Sequence, residues 1–134
     1  MGLRIEIKTV PHSQQRYETV GDWFYGPDAT WCFHISDMGN WRMEMAVAVH
    51  ELVECALCRY AGISADEVDS FDMAYEATRT PDNYDEPGDD PRAPYHKQHC
   101  VATGVERIIV CMLGLSWKEY ETTINSLQFG VGNG

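Results

Sequence analysis

The sequence predicts an α+β fold: a small antiparallel sheet of about three N-terminal strands packed with about four helices. Three observations carry this. Leu3–Val10 and Thr30–Ser36 alternate with the two-residue period of a strand, on either side of a polar loop over residues 12–20. From Trp41 onward the apolar residues recur at helical spacing, and the turn Asp37-Met-Gly-Asn40 separates the two regimes. At 134 residues the chain has the size of one domain, and its 44% apolar content can build a core without disulfide staples. The domain is expected over residues 1–129, with 130–134 a flexible tail.

Taken in order, Leu3–Val10 sets Leu3, Ile5 and Ile7 on one face and Arg4, Glu6 and Lys8 on the other, a strand with one buried face that Pro11 ends. Asp22–Tyr25 and Thr30–Ser36 read as a hairpin around Gly26-Pro27-Asp28. Asn40 or Asp37 caps a helix from Trp41 to Tyr60 whose apolar stripe includes Met45, Val49, Leu52 and Ala56, and Gly62 stops it. Ser64-x-x-Glu67 is a capping box for a short helix to about Phe71. Residues 77–93 form a long loop rich in Pro and Asp, and loops of that size in small domains are often functional. Pro94 opens a helix that ends near Leu115, and Ser116-x-x-Glu119 caps a last one to about Leu127.

Charge narrows the classes of function. Twenty-one Asp and Glu against ten Lys and Arg give a net charge of −11, which leaves no basic patch for duplex DNA and disfavours anionic membranes. Between Ser64 and Asp90 ten carboxylates face Arg79 alone. The longest apolar stretch, Met43–Leu57, is interrupted by Glu44, His50, Glu51 and Glu54, so no membrane span is expected. The N-terminus has no apolar signal core, and five cysteines cannot all pair internally. Both point to a cytoplasmic protein with reduced thiols.

The chemistry concentrates in His50-Glu-Leu-Val-Glu54. His50 and Glu54, four apart on a helix, project from one face and can bind one metal ion from successive turns. Glu51 lies about 100° round the helix, where a general base stands beside such a site. Their neighbours Ala46, Val47, Val49, Leu52, Val53 and Ala56 are apolar, and an ionised Glu54 buried there needs a partner. The partner is a metal or a hydrogen-bonded polar cluster. Downstream, His99 is the preferred third ligand and His96 the alternative, because His99 sits deeper in its helix. Glu106 follows on the His99 stripe and either orients a ligand or pairs with Arg107 or Arg42. Glu86, Asp89 and Asp90 precede the histidines closely, as a solvated loop, a lid or an added carboxylate ligand. Cys55 and Cys58 read as core, with Cys58 on the stripe of His50 and Glu54. Asp69, Asp72 and Glu76 read as capping and solvation or as a second cation site.

The motif resembles the H-E-x-x-H signature of the zincin metallopeptidases, with Glu54 in place of the second histidine. The resemblance implies that His50, Glu54 and His99 bind Zn²⁺ and that Glu51 is the base. It further implies that the strand preceding the helix holds an extended peptide. Glu54 also suits a harder ion such as Mn²⁺ or Fe²⁺. Three stretches are similar to small uncharacterised proteins encoded by tailed bacteriophages: Ser36-Asp-Met-Gly-Asn-Trp-Arg, Ala48-Val-His-Glu-Leu-Val-Glu and Glu86-Pro-Gly-Asp-Asp-Pro-Arg-Ala-Pro-Tyr-His. The expected function is metal-dependent peptide-bond hydrolysis on a peptide or protein substrate. One alternative is an acidic, non-enzymatic module that binds a basic host protein. The other is a Mg²⁺-dependent nucleotide pyrophosphohydrolase using Glu51 and Glu54.

Overall fold

The computed structural model describes residues 2–130, so the expected tail beyond Gly130 lies outside the described residues. Three strands, β1 (Ile5–Val10), β2 (Gly21–Tyr25) and β3 (Trp31–Ser36), precede four helices, α1 (Trp41–Ala61), α2 (Ala65–Ala77), α3 (His96–Met112) and α4 (Trp117–Phe129). The class is the α+β one the sequence predicts. The sheet, however, is mixed rather than antiparallel: its order is β1-β3-β2, with β2 antiparallel and β1 parallel to β3. The hairpin between β2 and β3 fixes only their own pairing. β1 is free to take the other side of β3, and it does so in the parallel sense.

The helix ends follow local chemistry. The Asn40 side chain accepts the amides of Arg42 and Met43 at 3.1 and 3.3 Å, and Gly62 ends α1 in the left-handed region at φ 76°. Ser64 and Glu67 close a reciprocal capping box, and Ser116 accepts the Glu119 amide. α2 outruns its expected end near Phe71 by six residues, to Ala77, because nothing between these positions breaks a helix.

α1 packs on β2 and β3 on one side and on α3 on the other. One apolar cluster joins Ile35, Ala46, Val47, Val110, Tyr120 and Ile124. A second joins Trp23, Phe33, Cys55, Cys58, Val68 and Tyr95, so both cysteines of Cys55-x-x-Cys58 are core residues. The alternation of Leu3, Ile5 and Ile7 does not mark a buried face. These side chains are 65%, 42% and 47% exposed, because α1 stops short of β1. Likewise Met45 of the expected apolar stripe is exposed, while the buried line runs through Met43, Val47, His50 and Glu54. All five cysteines are free, and no single helix among the described residues is long and apolar enough to cross a membrane.

Candidate metal centre

α1 and α3 lie side by side and bring His50, Glu54, His99 and Glu106 together, each no more than 7% exposed. The Oε2 atom of Glu54 sits between the two imidazoles, 3.1 Å from His50 Nε2 and 2.9 Å from His99 Nδ1. Its other oxygen accepts the indole N–H of Trp23 at 3.0 Å. His50 Nδ1 lies 2.8 Å from Glu106 Oε1, and the Tyr120 hydroxyl donates to the second Glu106 oxygen. His99 Nε2 lies 3.1 Å from Asp89 and 3.3 Å from Glu86, both on the acidic loop. Four carboxylates thus contact two imidazoles, and full protonation of both rings leaves the cluster negative.

This balance sets the ionisation. Burial works against a charge on His50, but its hydrogen bonds to Glu106 and Glu54 outweigh burial and hold its pKa well above the usual histidine value. His99 is raised to about 10, burial again being overcome, here by Asp89 and Glu54. Burial would raise Glu54, yet the two imidazoles hold it far below the usual carboxylate range. A dication answers the same excess of negative charge, and one donor atom each from His50, Glu86 and His99 lies within 4.8 Å of the others. That group can hold a metal ion. It contains both predicted histidines, and its carboxylate is Glu86 from the loop, with Glu54 lodged between the rings. His96 stands apart. Its Nδ1 lies 2.9 Å from the Gly88 carbonyl, and its ring lies against Cys100.

Glu51 points elsewhere. It opens onto a pocket that it lines with Asp22, His50, Glu54, Asp72 and His99. A Cβ on Gly21 would come within 2.7 Å of the Glu51 side chain, so the bare glycine makes room for it. Among the described residues nothing hydrogen-bonds the Glu51 carboxyl, and burial followed by the charge of Glu54 raises its pKa well above the usual value. In the same pocket burial lifts Asp72 to about 7, despite its hydrogen bond from Tyr95. Asp72 is engaged with Tyr95 and Tyr17, Asp69 with Arg16, and Glu76 with Arg79, and among the described residues these three carboxylates do not form a metal-holding group.

The loop reaches the histidines because Arg79 folds it back. Its guanidinium grips Glu76 at 2.7 and 2.8 Å and donates to the carbonyls of Asn83 and Asp85 at 2.6 and 2.7 Å. The same group stacks on Tyr75 and Phe129, and Tyr84 packs on Phe129. A 3-10 turn at Pro87–Asp89 then lays Gly88 on the His99 ring, where a Cβ would stand only 2.3 Å from Cγ. Trp23, Tyr120, Arg79 and Gly88 are the site residues that sequence reasoning missed. The partners of Trp23 and Tyr120 are 31 and 14 positions away, Gly88 meets His99 through packing, and Arg79, though its partners are near in sequence, is held largely by backbone carbonyls that no side-chain pattern marks. No protein-family model matches the chain, and neither a curated protein nor a solved structure matches it.

Proposed function

We propose that the protein is a metal-dependent hydrolase of zincin type that cleaves peptide bonds. The observation that supports this reading is the convergence of two buried histidines and Glu86 beside a free, walled-in Glu51. Zn²⁺ bound there, or Mn²⁺ or Fe²⁺ given the share of carboxylate donors, supplies Lewis acidity and acidifies water. His50 and His99 hold the ion, Glu86 completes the grip, and Glu54 either joins it or keeps the rings in place. Glu106 accepts a hydrogen bond from His50 Nδ1–H and so turns Nε2, now beside Glu54, toward the position an ion would take. Glu51 accepts the proton of the attacking water and returns it to the leaving amine. β3 is paired on both sides and cannot hold a peptide by strand addition, contrary to what the resemblance implies. β2 is an edge strand whose Gly21, Asp22 and Trp23 line the pocket, and it takes that role. The five free thiols fit a cytoplasmic setting.

The test starts from metal content after purification without added metal or chelator. About one equivalent is expected in the wild type, lost in His50→Ala. Glu51→Gln should keep the metal and lose at least about 100-fold in peptide hydrolysis. Full activity in that variant, or a folded wild type that neither carries nor takes up metal, would refute the reading. One observation favours a second reading. With Glu54 and Glu86 both engaged, four protein donors would close the shell as in structural sites. The protein would then be an acidic module for a basic host protein. X-ray absorption distinguishes four protein donors from three plus water, and a salt-sensitive pull-down of one basic protein would support the module. The pyrophosphohydrolase alternative accounts for neither the sheet nor the buried histidines.

A further inference from the structure

The sheet ends in an edge that the other described residues leave open. Ile5 and Ile7 stand opposite Trp31 and Phe33 in the β1–β3 ladder, so they share the face that α1 covers over β2 and β3. Yet Leu3, Ile5 and Ile7 are 65%, 42% and 47% exposed, because α1 does not reach them. The flank of α1 on this side is also apolar. Trp41 and Met45 are 65% and 47% exposed and fall on one stripe with Arg59, which stacks over Trp31 next to Ile5. The backbone edge is open as well. The Trp31 amide donates to the Arg4 carbonyl and the Asp37 amide to the Val10 carbonyl. The even-numbered residues of β1 therefore turn their peptide groups to β3, and Ile5, Ile7 and Thr9 turn theirs outward.

We propose that β1 is a dimer interface, pairing antiparallel with β1 of a second copy across a two-fold axis at Ile5 to make a continuous six-stranded sheet. The charge pattern selects this occupant. Arg4, Glu6 and Lys8 alternate in sign on the opposite face. Centred on Ile5, the register sets Arg4 against the partner's Glu6 twice over. On the core side it sets Ile5 against the partner's Ile5 and Leu3 against the partner's Ile7. It also places the outward-facing peptide groups opposite one another. Centred on Glu6 instead, the register would set Arg4 against the partner's Lys8 and Glu6 against the partner's Glu6, so like charges exclude it. The two-fold makes the interface isologous, and the exposed flanks of both α1 helices border the same apolar trough.

The test is the mass in solution by light scattering and sedimentation equilibrium at micromolar concentrations. Twice the chain mass of 15.2 kDa is expected. Arg4→Glu or Glu6→Arg alone turns two attractive pairs into two repulsive ones and should weaken association about tenfold or more. The double variant restores opposite charges and should restore the dimer. Arg4 and Glu6 are exposed, so circular dichroism should show the fold unchanged in all three. A wild type that stays monomeric overturns the proposal, even if β1 then captures an extended segment of another protein. So does a dimer indifferent to the single swaps, or a double variant no better than either single.

Discussion

At the scale of single residues, the cluster is organised by Glu106 as much as by its histidines. Its carboxylate sits between the Tyr120 hydroxyl and His50 Nδ1, and that sandwich decides which imidazole nitrogen faces inward. Glu106→Gln should lower metal affinity about 10- to 100-fold and leave the helical content intact, measured by competition with a chelator alongside circular dichroism. The sequence shows His50, Glu54 and His99 because their spacing is local to two helices. It also leaves three partners open for Glu106, namely His50's metal site, Arg107 and Arg42. The structure spends the two arginines otherwise: Arg107 stacks on Trp117, and Arg42 donates to the Leu113 carbonyl at the end of α3. Which of three reachable partners a carboxylate takes depends on how α1 lies against α3, and no short stretch of sequence encodes that.

At the scale of elements, the signals that were legible are those completed within a few residues. Asn40, Gly62, Ser64 with Glu67, and Ser116 each act on backbone groups of their own helix, so both ends of α1 and the starts of α2 and α4 fall where the sequence puts them, while the uncapped end of α2 does not. Burial of β1 was not legible. Alternation marks a strand with two different faces, but whether a helix reaches over the apolar one is settled elsewhere in the chain. The acidic loop is the instructive case. Its carboxylates read as solvated, yet one arginine gathers its backbone and delivers Glu86 and Asp89 to His99. Arg79→Ala should therefore release this loop. The expected result is faster proteolysis between residues 80 and 86 and about tenfold weaker metal binding, with the melting of the helices little changed. A loop as resistant as in the wild type would show that Tyr84 on Phe129 suffices to hold it.

At the scale of the whole molecule, the cluster links stability to pH. His99 is raised from 6.5 to about 10. Its contribution is complete below about pH 6.5 and disappears as the pH rises through 10. Asp72, raised from 3.8 to about 7, adds in the same sense, its contribution being lost as the pH rises through 7. Glu54 is lowered from 4.5, so its contribution holds above that value and is lost as the pH falls further. The metal-free protein should thus melt at a falling temperature between pH 7 and 10, followed by calorimetry. Metal loading should flatten the decline, because the ion takes the place of the imidazole protons and binds more tightly as they leave. One further consequence follows from the indole of Trp23, whose N–H ends on the Glu54 carboxylate that touches both histidines. Trp23 is 4% exposed, and its ring reports on the electric field of that carboxylate. When an ion draws charge away from Glu54, the emission of a shielded indole shifts in colour and intensity. Should an ion bind beside Glu54, Trp23 would then serve as an optical gauge of occupancy, readable in intact protein without a label.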